Sequence, residues 1–209
     1  MKILHIVYTE LMEILTILLL LIISLVIHEF AHAYIADKLG DPTPRYMGRV
    51  TLNPIKHLDP MGTAILIFTT LMPGPSFGWG KPVIFNPSNL KNPKRDTGLV
   101  AFAGPASNLI MALVGIIVIA TLANPLLATL LQYFVILNVI LAIFNLIPIY
   151  PLDGFNVMQA ILPEQLSLEF QETSKYGMLV LILLIFTGAI RIILTPVLNA
   201  VTRILSFIQ

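Results

Sequence analysis

Two histidines four residues apart, with a glutamate between them, form the sharpest chemical signal in this 209-residue chain: His28-Glu29-Phe30-Ala31-His32. On a helix, residues i and i+4 lie on one face a single turn apart. Both imidazoles can therefore reach one zinc ion at about 2 Å. Glu29 lies beside them and can take a proton from a zinc-bound water. At this composition chance supplies about 0.002 such matches. The bland alternative is a pair of core histidines with a satisfied glutamate. It fails on placement: the apolar run Ile14 to Ile27 leads straight into the motif, and ionisable groups inside a membrane span are costly and functional by default. A catalytic zinc needs a third protein ligand and an open fourth position. Only His5 and His57 remain among the histidines, beside five aspartates. Asp153 is the best candidate, because it follows a break at Pro148 and Pro151 and precedes Gly154. Irregular backbone at membrane depth is tolerated where it lines a polar cavity. Asp153 can equally well cap a helix over 155–161.

The elements that must position these residues are apolar. The chain is 57% hydrophobic and 11% charged, with a mean hydropathy of +0.90, whereas soluble domains carry about 25% charged residues. The composition predicts an all-α polytopic membrane protein with about four to six membrane helices, folded as a single membrane-embedded domain over 1–209. A net charge of +1 argues against nucleic acid as a partner. The absence of cysteine excludes disulfides, thiolate metal sites and a cysteine nucleophile. The first apolar run continues into the motif with no small-residue cleavage site, so it reads as a retained span over 12–37 rather than a signal peptide. Further spans are expected over 99–123, 126–147 and 176–194, with a shorter helix over 197–208 after Pro196. Residues 61–72 are too few for an upright span and read as a re-entrant or buried helix, stopped by Pro73, Gly74 and Pro75. Small β-hairpin segments are expected around Arg45–Leu52 and Lys81–Phe85. Residues 155–161 read as a short helix, and 164–173 as a helix on the membrane surface.

Taken in order, HEFAH within a span, NPIKHLDP (53–60), FGWGKPV (77–83), AGPASN (103–108) and FNLIPIYPLDG (144–154) resemble the site-2 protease family of intramembrane zinc metalloproteases. The likeness is to the compact prokaryotic type without a PDZ or CBS domain. The motifs extend from 28 to 154, and no matched catalytic position departs from the family pattern. The resemblance implies one zinc per chain, held by His28, His32 and Asp153, with Glu29 as general base. It implies a site role for Asn145, whose amide can donate to the charge that develops on a scissile carbonyl; an interhelical hydrogen bond is the plainer role for a membrane asparagine. His57 is a candidate to orient a ligand or to donate to the oxyanion, or it bonds Asp59 at the surface. Asn53 and Asn108 are read as structural, and Gly104-Pro105 as permitting close packing. A protease must hold a transmembrane peptide extended, and an exposed strand edge can do so. Gly78, Trp79, Gly80, Lys81 and Val83 are the candidates for that edge, against a simple surface hairpin. Trp79 also fits an interfacial aromatic belt.

Charge supplies a consistency test. Eight of the twelve Lys and Arg fall between 38 and 95, which places this stretch in the cytoplasm. That requires 61–72 not to cross. The metal site makes the same demand, because HEFAH and Asp153 meet only when two crossings separate them. The expected protein is a multi-pass protease of the cell membrane, its zinc toward the cytoplasmic side. Its expected substrate is a single-span membrane protein, and the surrounding lipid bilayer its other partner. The rival reading is an ion or metal transporter, or a non-catalytic metal-binding membrane protein. It explains the ligands but gives Glu29 no reason to sit between them.

Overall fold

The computed structural model describes residues 2–72, 78–121 and 124–208, with side chains from Leu11 onward. Nine α-helices are found among the described residues: α1 (Lys2–Lys38), α2 (Thr43–Tyr46), α3 (Pro60–Thr70), α4 (Pro93–Thr121), α5 (Pro125–Asn145), α6 (Asp153–Ile161), α7 (Glu164–Gln171), α8 (Ser174–Phe186) and α9 (Ile190–Phe207). Four stretches are long and apolar enough to cross a membrane: Leu11–Lys38, α4, α5 and α9.

One device starts α3, α4, α5 and two short 3-10 turns, Pro54–Lys56 and Pro87–Asn89. Asn or Asp followed by Pro stands at Asn53-Pro54, Asp59-Pro60, Asn86-Pro87, Asn92-Pro93 and Asn124-Pro125. The Asx side chain accepts from an otherwise orphaned N–H, and proline at the first helical position gives up a donor that has no partner anyway. Asp59 takes the Gly62 N–H at 2.8 Å. Asn124 takes those of Leu126 and Leu127 at 3.1 and 3.2 Å.

Helix α4 is the hub, packing against α1, α5 and α6. Its buried face carries Gly98, Ala101, Gly104, Ala112 and Gly115, small residues that let neighbouring backbones approach without a hydrophobic driving force. Asn108 meets Asn138 and Gly115 lies against Val135, so α4 and α5 run antiparallel. Beyond that contact Ile119, Ala128, Val139, Val201 and Leu205 close a core with α9.

Two expectations are corrected. Neither β segment forms: the described residues contain no strand, only one isolated antiparallel bridge between Leu58 and Gly80. Thr43–Tyr46 is instead a turn of helix, ended by Gly48 at φ +65°. In 81–85, Pro82 lacks a donor, while the Lys81 and Val83 N–H groups bond to His57 and Glu29. The last break also moves. The chain turns at Gly188, with φ +72°, between α8 and α9, whereas Pro196 lies inside α9 and costs it a single backbone donor. At 13 residues α8 is short, and α9 is the fourth potential span.

Helix α3 is the short helix expected over 61–72. Its 11 residues extend about 16 Å, half of a hydrocarbon core about 30 Å thick. The stops at Pro73, Gly74 and Pro75, the start of FGWGKPV at Phe77 and the end of a span at Ala123 lie outside the described residues.

Candidate metal centre

Helix α1 places His28 and His32 one turn apart, and their rings meet edge to face at 4.7 Å. The loop after α5 returns the chain so that Asp153 opens α6 beneath them. His28 and His32 are 4% and 7% exposed. Their Nε2 atoms are 3.0 Å apart, and Asp153 Oδ2 lies 3.1 Å from one and 3.3 Å from the other. Both Nδ1 atoms are engaged elsewhere. His28 Nδ1 is 2.5 Å from Asn108 Oδ1, and His32 Nδ1 is 2.7 Å from the Val100 carbonyl. A neutral imidazole has one N–H, and here each donates it to an oxygen away from the centre. Three lone pairs therefore converge with no hydrogen between them, an arrangement that a cation turns from repulsive to favourable. Ligands at about 2.0–2.1 Å from a tetrahedral zinc are about 3.3 Å apart, close to the separations found. The donor set of two imidazoles and one carboxylate, with one corner left open, fits catalytic zinc.

Helix α4 touches this centre directly. A Cβ at Gly104 would lie 2.6 Å from His28 Nε2 and closer still to His32 Nε2. Only glycine leaves the imidazoles their place.

Glu29 faces a cavity of about 400 Å³ that also meets His28, Asn145 and Gly78, Trp79 and Gly80. The remaining wall is largely apolar, from Leu21, Leu25, Leu66, Phe144 and Ile182 among others. The Glu29 Oε2 accepts the Val83 N–H at 3.2 Å. Asn145 stands on the same wall, with one amide hydrogen donated to the Leu141 carbonyl at 2.9 Å.

The segment 78–83 lies across α3, where Gly62 gives it room beside Trp79. Lys81 donates its N–H to the His57 carbonyl at 2.8 Å. Arg49, 2% exposed, clamps the segment, donating one guanidinium nitrogen to the Lys56 carbonyl and another to the Lys81 carbonyl. Burial pulls the Arg49 guanidinium below its ordinary pKa. His57 is fully buried and outside the donor cluster. Its Nε2 donates to the Thr51 carbonyl at 2.7 Å. Burial holds the imidazole below its usual pKa, so it stays neutral and serves as a pillar under the segment. Sequence reasoning passed over Arg49, and gave Val83 and Asn108 other roles, a substrate edge and a structural contact. Only AGPASN hinted at Asn108.

A family model described as Peptidase family M50 matches residues 120–185, a stretch holding Asn145 and Asp153 but not the histidine pair. The chain is similar to "Putative zinc metalloprotease YwhC" of Bacillus subtilis, 39% identical over 190 residues that make up 86% of this chain and 84% of the relative. It is 29% identical over 175 residues to "Putative zinc metalloprotease Rip2" of Mycolicibacterium smegmatis, covering 81% of this chain and 66% of that one. It is 30% identical over 152 residues to "Zinc metalloprotease MJ0392" of Methanocaldococcus jannaschii, covering 70% and 34%. No solved structure matches the chain with significance.

Proposed function

The chain belongs to peptidase family M50 and is a multi-pass zinc metalloendopeptidase; from this premise we propose that it cuts transmembrane segments of single-span membrane proteins inside the bilayer of the cell membrane. One observation carries the reading: of three convergent metal donors, His28 borders an apolar cavity together with Glu29, among apolar helices. An apolar peptide is the ligand such a wall suits.

In this reading His28, His32 and Asp153 hold the metal, and the whole chain acts as one domain. Zinc, when bound, supplies a Lewis acid that polarises the scissile carbonyl and acidifies a water. Glu29 accepts the proton of the attacking water at Oε1, the oxygen that Val83 leaves free, and delivers it to the departing amide nitrogen. The Val83 N–H keeps the carboxylate turned toward the cavity. Asn145 gives its second amide hydrogen to the negative charge growing on the carbonyl oxygen. The apolar wall admits the substrate and restricts bulk water, which strengthens each of these polar contacts.

Purified protein carrying one zinc should cleave some members of a panel of single-span substrates within the apolar segment, and stop when a chelator removes the metal. Cleavage confined to soluble peptides, with every span left intact, would refute the intramembrane reading.

The side of the membrane is proposed from charge. The stretch from Lys38 to Arg95 on either side of α3 holds eight of the twelve Lys and Arg, and α3 is too short to separate its two parts. Both are assigned to the cytoplasm, which puts the metal toward that face. Single cysteines placed in 43–58 and in 88–96 of this cysteine-free chain should be labelled only from the cytoplasmic side. Labelling of the second loop from outside would make α3 a crossing and break the assignment.

A further inference from the structure

Three fully buried polar side chains from three helices have no part in the mechanism above: Ser24 on α1, Asn108 on α4 and Asn138 on α5. At membrane depth such groups are expensive unless each finds a partner. Here they form one continuous chain, and its order is fixed from the far end. Asn138 Nδ2 lies 2.9 Å from the Phe134 carbonyl, which can only accept, so the amide nitrogen must face that way. The same nitrogen donates to Ser24 Oγ at 2.9 Å, and the Ser24 hydroxyl donates onward to the Leu20 carbonyl at 2.8 Å. Asn138 Oδ1 must then face Asn108, and it accepts from Asn108 Nδ2 at 2.8 Å. Asn108 is thereby obliged to turn its oxygen to His28 Nδ1, 2.5 Å away. An oxygen there requires the ring hydrogen on Nδ1, which bares Nε2 to the metal.

We propose that Ser24 and Asn138, neither of which touches a metal donor, are positioning residues for zinc, acting through Asn108 to set the tautomer and aim of His28. This rests on His28 being a ligand, as read above. Partners one bond beyond a ligand alter metal affinity by 10–100-fold, and each amide in this chain has one orientation that satisfies all of its bonds. Asn138→Leu strands the Asn108 amide hydrogen and frees that side chain to turn its nitrogen toward His28, where two donors oppose each other. Ser24→Ala removes one of the two acceptors holding Asn138 and is the milder change.

The test measures zinc affinity by chelator competition, the visible spectrum of the cobalt-substituted protein, and the thermal midpoint, all in detergent. Asn138→Leu should weaken zinc by about 10–100-fold and alter the cobalt spectrum. Ser24→Ala should weaken it several-fold, and Ser24→Thr, which keeps the hydroxyl, should restore it. Asn108→Asp, which still presents an oxygen to His28, should hold zinc better than Asn108→Leu. Where Asn138→Leu does not fold, the Ser24 pair decides. Parent-like zinc affinity and cobalt spectrum in folded Asn138→Leu, or in Ser24→Ala when that variant alone folds, would overturn the proposal. His28→Ala separates the two readings: zinc retained there removes the ligand assignment itself, whereas zinc lost there but kept in the relay variants removes only the relay.

Discussion

Glu29→Gln should leave the zinc and the fold in place and lose most of the cleavage. Glutamine matches the shape of glutamate, and its Oε1 can still accept the Val83 N–H that Glu29 receives at 3.2 Å. The segment beside the site should therefore stay where it is. The amide cannot take up a proton at neutral pH, and general base catalysis contributes about 10²–10⁴-fold. A loss of that size is expected in turnover of a single-span substrate, with zinc content and thermal midpoint unchanged. Near-parental turnover by the purified variant would remove Glu29 from the role of base.

Gly104→Ala is expected to be as damaging by another route. The added methyl would lie 2.6 Å from His28 Nε2, well inside contact distance, and the rings have no slack. His28 is tied to Asn108 and His32 to the Val100 carbonyl, while α4 is packed on three sides. The ligands must turn away, and zinc affinity should fall by at least about 100-fold, the upper end of what outer partners alone produce. Gly115→Ala is the contrast. Its methyl meets Val135 Cγ2 at 2.7 Å, a packing clash on the same helix that should cost about 1–3 kcal/mol of stability. That variant should keep its metal. Metal analysis after dialysis against a chelator tells them apart, and a Gly104→Ala protein with full zinc would show that the imidazoles are not held as described.

What could be read in advance follows the range of the interactions. The histidine pair is local: four residues on one helix suffice to aim two imidazoles, so the spacing alone announced it. Asp153 was legible because Pro148, Pro151 and Gly154 mark a break in apolar sequence. The Asx-Pro starts are equally local and are visible in the sequence, although only the stops drew notice there. The strand expected at 45–52 rests on β-branched residues and the one at 81–85 on a glycine-punctuated, β-like pattern, but β preference describes fit to a paired, half-buried surface, and no partner strand exists among the described residues. Pro196 drew the last break because proline is conspicuous, yet a helix in lipid can absorb one lost donor, and Gly188 made the turn instead. Asn108 was read as structural. Its bond to His28 spans 80 positions, and only the packing of α4 on α1 reveals it.

The bonding of 78–83 has a consequence for selectivity. Its alternate main-chain donors are already satisfied, Lys81 by His57 and Val83 by Glu29, and Pro82 has none. A substrate that took the Lys81 N–H would gain that bond only by exchange for the one to the His57 carbonyl, while Val83 stays with Glu29. The count of bonds barely changes, and a hydrogen bond's net worth of about 0.5–1.5 kcal/mol largely cancels. Discrimination between substrates is therefore left to the side chains that enter the apolar cavity, where each buried methylene is worth about 0.8 kcal/mol. An enzyme binding substrate in this way would sort its substrates by bulk and fit, and would tolerate a wide range of sequences between them.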